Sequence, residues 1–212
     1  MASSLCSFCG SAFAAEGVLT LIDRKGDPVS NVVVYAMPHG SVDAAATPSP
    51  TVATMEQIDN RFVPHVLVVQ TGTLVAFPNN DSVSHHVYSF SESKQFELDL
   101  YRGNIHTPEL FDKPGLVVLG CNIHDNMLGY ILVVDTPFFA ISGNDGHARF
   151  SGLPEGDYEM QVWTPRLPID QQIDAFDVHI GSGATWQQEI EFSSKLLPAH
   201  ETEEGSLSWK DY

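Results

Sequence analysis

Three features of the sequence predict an all-β chain. Gly and Pro are frequent, 16 and 13 of 212 residues, and are spread along its length. Apolar residues come in short runs rich in Val and Ile, and no stretch sustains the spacing of an amphipathic helix. A hydrophobic content of 43% can support two compact domains of roughly 80 to 100 residues each.

The N-terminal stretch Leu5 to Ala14 ends in Ala12, Phe13 and Ala14, a small-x-small pattern that resembles the end of a secretory signal. It is short and lacks a positively charged start, so residues 1–15 read as a truncated or atypical signal peptide, and the expected location is a bacterial periplasm. Cys6 and Cys9 would leave with it. Cys121 would then be the only cysteine, with no disulfide possible within the mature chain, and a single thiol in an oxidising compartment is vulnerable unless a metal holds it.

Residues 17–35 read as two strands around the turn Asp23 to Gly26. The stretch Asp43 to Thr51, rich in Ala and Pro, reads as a linker over 43–52. Val66 to Gln70 and Leu74 to Phe77 flank a Thr-Gly-Thr turn and read as a hairpin, followed by the polar turn Pro78 to Asp81. Ser84, His85, His86 and Val87 open the next strand. Gly115 to Gly120 and Tyr130 to Val134 are two further strands, so the residues between them form a turn. Residues 144–163 read as another pair of strands around Leu153 to Gly156. The segment 193–212 is polar and acidic and is expected to be disordered.

The turn between the last two apolar runs carries the chemistry. Cys121, His124 and Met127 supply a thiolate, an imidazole and a thioether within seven residues, and a blue-copper centre needs one thiolate, two imidazoles and a weak axial thioether. A His from elsewhere in the fold would complete the set. A buried Cys or Met alone is most often core filler, but the three together between two strands argue for a metal. A Cys with two His and water would also take zinc, although Met is a poor zinc ligand, which favours copper.

Residues 55 to 135, read as FxPxxLxVxxGTxVxFxNxD, then xHxV, then CxxHxxM with a Gly and an apolar strand, resemble the cupredoxins, most closely amicyanin and plastocyanin. The two-residue gaps between Cys, His and Met match the amicyanin type of loop. The resemblance implies a Greek-key sandwich over 53–135 holding one mononuclear type 1 copper through His85, Cys121, His124 and Met127, with His86 as the alternative to His85. It also implies an electron port at the edge of His124, beside Ile123, Leu128 and Pro64. His39, His65, His106, His147, His179 and His200 fall outside this pattern.

Two further stretches, DxxGxPVxxVxVY near the N-terminus and xxDGxxxFxGLPxGxYxxxVW after residue 143, resemble the two halves of a transthyretin-like or carboxypeptidase-regulatory β-sandwich. This implies a smaller sandwich made of 16–42 plus 137–192, with the cupredoxin inserted in it or packed beside it, and with Phe138, Phe139 and Trp163 as core or interdomain packing. Such a module is structural or protein-binding.

The expected function is one-electron transfer in the periplasm rather than an enzymatic reaction; the alternative is copper storage, delivery or tolerance without a redox-chain role. Cys121 is flanked by Gly120 and Asn122, not by the His that passes electrons to a second copper in multicopper enzymes, and no triad, phosphate loop or HExxH helix is recognisable. A net charge of −17 argues against nucleic acid and suits a basic redox partner such as a c-type cytochrome, or a dehydrogenase. No run of about 20 apolar residues marks a transmembrane segment.

Overall fold

The computed structural model describes residues 15–40, 52–168, 172–183 and 185–198. The expected signal segment and its two cysteines, almost all of the linker and the C-terminal part of the acidic tail lie outside the described residues. Within them the chain is all-β, with strands and turns and no helix. Among the described residues no helix is long and apolar enough to cross a membrane.

In chain order the strands are β1 (Ala15–Asp23), β2 (Val33–Pro38), β3 (Val52–Thr54), β4 (Glu56–Ile58), β5 (Arg61–Val63), β6 (Val66–Gln70), β7 (Thr73–Ala76), β8 (His85–Ser91) and β9 (Lys94–Tyr101). They continue with β10 (Glu109–Phe111), β11 (Gly115–Gly120), β12 (Leu128–Val134), β13 (Phe139–Ile141), β14 (His147–Leu153), β15 (Gly156–Trp163), β16 (Ile173–Ile180) and β17 (Thr185–Phe192). The sheets run β14-β1-β17, β13-β2-β15-β16, β6-β12-β11-β8-β9 and β10-β7-β3, with β4-β5 as a separate pair.

Three apolar clusters show how the sheets stack. Leu19, Leu21, Val34, Phe150, Tyr158 and Ile180 fill the space between β14-β1-β17 and β13-β2-β15-β16. Val69, Val75, Val87, Phe111, Leu119 and Ile131 fill the space between β6-β12-β11-β8-β9 and β10-β7-β3. Between these two cores, Val66, Val68, Leu132 and Val134 on the outer face of β6-β12 meet Val33 and Trp163 from β2 and β15.

Side-chain alternation explains why the runs through β2 and β12 are continuously apolar instead of alternating. Neighbouring residues of a strand point to opposite faces, and these strands lie in the two middle layers. On β12, Ile131 and Val133 enter one core while Leu132 and Val134 enter the shared cluster. On β2, Val34 and Ala36 face one core and Val33 and Tyr35 face the other cluster. Both faces are buried, so both need apolar side chains.

The hairpin expected over residues 66–77 is replaced by a corner. β6 pairs in parallel with β12, whereas β7 pairs with β10 and β3 in the opposite sheet. The turn is tied to both layers, since Thr71 N–H donates to Val134 O at 2.9 Å and Gly72 N–H donates to Phe111 O at 2.7 Å. Gly72 turns the chain at φ 90°, a conformation that costs Gly little. The strands around Asp23 to Gly26 and around Leu153 to Gly156 likewise separate into facing sheets.

The tail expected to be disordered from residue 193 begins with a docked segment. Leu197 N–H donates to Arg166 O at 2.8 Å, Arg166 Nε donates to Leu197 O at 2.9 Å, and Leu196 packs against the first core.

Candidate metal centre

The β11–β12 pair closes at Gly120 opposite Leu128, and Gly120 also pairs with Tyr88 of β8. The seven residues 121–127 therefore cap one end of a sheet whose next strand begins at His85. The Tyr88 ring lies over Gly120, so that a Cβ there would stand 2.7 Å from the phenol and the ring would have to shift. Within the loop Met127 N–H donates to His124 O at 3.0 Å, which tightens the turn.

The donors converge at this end. His85 Nδ1 lies 3.1 Å from His124 Nδ1, and Cys121 Sγ lies 3.6 Å from His124 Nδ1 and 4.0 Å from His85 Nδ1. His85 is fully buried, Cys121 and Met127 are buried, and His124 is half-buried. Met127 and Cys121 belong to the same apolar core. Ile123 is 54% exposed and Leu128 36%, in a loop where Asn122, Asp125 and Asn126 are exposed as well.

The separations suit one shared ion. Nitrogen and sulfur donors each about 2.0–2.3 Å from an ion and spread at about 120° stand roughly 3.5–3.8 Å from one another, and the observed triangle brackets that range. Thiolate and imidazole with a nearby thioether make a soft donor set, which suits copper.

His85 is oriented from behind. Its Nε2 lies 2.9 Å from Asp81 Oδ2, and a carboxylate only accepts, so the proton sits on Nε2 and the Nδ1 lone pair faces Cys121 and His124. Burial works to raise the Asp81 carboxyl, but the hydrogen bonds it receives from Asn60 N–H, His85 and Ser82 N–H bring it down to about 2. Asn79 braces the turn, accepting from Asp81 N–H at 2.9 Å and donating to Val83 O at 3.0 Å and Tyr101 O at 2.7 Å. The Tyr101 hydroxyl, pushed up to about 12 chiefly by burial, is held with Gln57 and the Phe77 carbonyl.

His86 points away from this group, with its Nε2 2.8 Å from Glu97 Oε1. His65 lies 3.2 Å from Leu128 O through Nδ1 and edge-on to Tyr130. His39 and His179 pair with Asp177 and Asp157, His147 pairs with Asp145, His106 stacks edge-on to Tyr101, and His200 lies outside the described residues. Asn79 and Asp81 stand as the N and D of the FxNxD pattern and in the polar turn Pro78 to Asp81, but sequence reading gave them no role at the site, and Gln57 was not singled out at all.

No protein-family model matches the chain, and no curated protein does. Among solved structures, a novel purple cupredoxin from Nitrosopumilus maritimus is 22% identical over 39% of this chain and 99% of its own, with a TM-score of 0.35. Amicyanin from Paracoccus versutus is 15% identical over 48% of this chain and 97% of its own, at 0.36. A copper-containing nitrite reductase from Thermus scotoductus SA-01 is 27% identical over 47% of this chain and 26% of its own, at 0.38. At TM-scores under 0.5 these likenesses carry no weight for the site, which stands on its own geometry.

Proposed function

We propose that this chain is a periplasmic one-electron carrier whose copper is held by His85, Cys121 and His124, with Met127 as the weak axial donor. The observation that carries the reading is the convergence of two imidazole Nδ1 atoms and one thiol sulfur within 3.1 to 4.0 Å. Bound there, copper would supply a Cu(II)/Cu(I) couple.

The chain's own residues do the rest. Asp81 holds the His85 tautomer and ring angle, and the packed core around Cys121 and Met127 resists rearrangement, so little moves when charge changes. His124 provides the route to the surface, and exposed Ile123 and Leu128 beside it offer an apolar contact for a partner. The charge of −17 would steer a basic protein such as a c-type cytochrome, or a dehydrogenase, towards it. We also propose that residues 53–135 form the copper-binding sandwich, inserted between 16–42 and 137–192, and that the second sandwich supports and presents it.

The test is an optical and electron-paramagnetic-resonance titration of the purified chain with Cu(II), alongside Cys121→Ser and Met127→Leu. An intense visible thiolate-to-copper band that disappears in Cys121→Ser, and a raised potential with copper retained in Met127→Leu, support the carrier. A colourless complex with weak, exchangeable copper moves the function to copper storage or delivery, and a band retained in Cys121→Ser removes the thiolate from the site.

A further inference from the structure

His85 and His86 are neighbours on β8 that face opposite sides of the sheet, and the outward one stands in a donor group of its own. The β8–β9 register explains how the group forms. His85 pairs with Tyr101 and Val87 with Leu98, so Asp99 and Leu100 both lie opposite His86. Leu98 and Tyr101 are buried while Asp99 and Leu100 are exposed, the pattern of a β-bulge, which re-aims side chains.

The His86 side chain is only 10% exposed, and its Nε2 reaches Glu97 Oε1 at 2.8 Å. One ligand atom from each of His86, Glu97 and Asp99 falls within 4.8 Å of the others. The nitrogen that faces the carboxylates, Nε2, is held by Glu97 alone, while Nδ1, buried and directed away from Nε2 on the same ring, has no partner; what gathers the group is the bulge, which brings Asp99 beside Glu97 within reach of the ring.

We propose that His86, Glu97 and Asp99 form a second cation site, independent of the Cys121 centre. An imidazole and two carboxylates, with no thiolate, suit a divalent first-row ion of the zinc class, three protein ligands leaving a fourth position for water. Calcium needs six to eight oxygen ligands, more than this group offers. A dication also offsets the charge of two adjacent carboxylates on a strongly acidic protein.

The test follows the histidine ring nitrogens by long-range proton–nitrogen NMR of the full chain as zinc(II) is added. The parent is compared with Cys121→Ser and with the double variant Glu97→Gln, Asp99→Asn. The His86 ring resonances are expected to shift and saturate with one equivalent in Cys121→Ser and by two equivalents in the parent, whose Cys121 centre also takes zinc, and to stay in place in the double variant. A His86 ring that does not respond in the parent, or that responds equally in the double variant, overturns the site. The first centre reports separately through the His85 and His124 rings and the copper band, so failure at one centre is not mistaken for failure at the other.

Discussion

The two cores of this protein use buried polar groups for different purposes. In the core between β14-β1-β17 and β13-β2-β15-β16, the buried polar residues at its rim are small hydroxyls that tie corners. Ser142 donates to Val29 O at 2.7 Å and accepts from Val32 N–H at 3.0 Å, while Thr136 donates to Ala36 O at 2.7 Å and accepts from Phe138 N–H at 3.2 Å. In the other sandwich, Gln57, Asn79 and His85 are buried and belong to one connected end of the fold, with Tyr101 and Asp81 joined to them. Partly satisfied polar networks are costly, and Gln57 Oε1 is left without a partner. The first core holds a shape; the second accepts that cost at the end where three ligand-type atoms meet.

The strongest way to break this contrast is at the surface the two sandwiches share. Trp163 is 8% exposed and packs edge-on to Tyr130 at 5.7 Å. Trp163→Ala is expected to cost about 3–5 kcal/mol, read as a lower urea midpoint. A cost below about 1 kcal/mol, the level of ordinary surface changes, would mean that the faces touch without stabilising each other.

Leu21→Ala sharpens the contrast from the apolar side. Leu21 is fully buried in the core without the candidate ligands, so its truncation should cost about 2–5 kcal/mol and leave copper affinity per folded molecule unchanged. A change in that affinity would show that the site depends on the distant core. Asn79→Ala should do the reverse. It releases the Val83 and Tyr101 carbonyls and the Asp81 amide, costing about 1–3 kcal/mol, and weakens copper binding about 10–100-fold by loosening the support behind His85. Equal copper affinity in Asn79→Ala would remove the turn from the site.

Much of this was legible along the chain, and the exceptions have one cause. The loop from Cys121 to Met127 and the strands on either side could be read because local spacing sets them. The corner at Gly72 could not, because apolar runs flanking a Gly turn look alike whether they pair with each other or cross between sheets; β6 pairs with β12, 64 residues on, and β7 pairs with β10, 34 to 38 residues on, and with β3, 22 residues back. His85 and His86 were left as alternatives because alternation gives a two-residue period without its phase. The β9 bulge and the Asp81 contact set that phase in space. The start of the tail was read as disordered because polar composition does not reveal that Arg166 is waiting for the Leu197 carbonyl.

The smallest effect separates an exposed carboxylate from a buried one. Asp145, in the turn before β14, is brought down to about 2, first by the hydrogen bond from Arg149 and then by that from His147 N–H. Asp81 reaches about 2 as well, but with its side chain 10% exposed against 49% for Asp145. A carboxyl lowered on folding adds stability above its ordinary value of 3.8, and that contribution is lost as pH falls towards about 2. The gap in urea midpoint between the parent and Asp145→Asn should therefore be constant above about pH 5 and shrink below pH 4. Because Asp145 is open to solvent, the gap should also shrink at about 1 M salt, where the screening length is about 3 Å. A gap indifferent to both acid and salt would assign the contribution of Asp145 to turn geometry, leaving the candidate metal end as the only place among these tests where a carboxylate's charge is built into the fold.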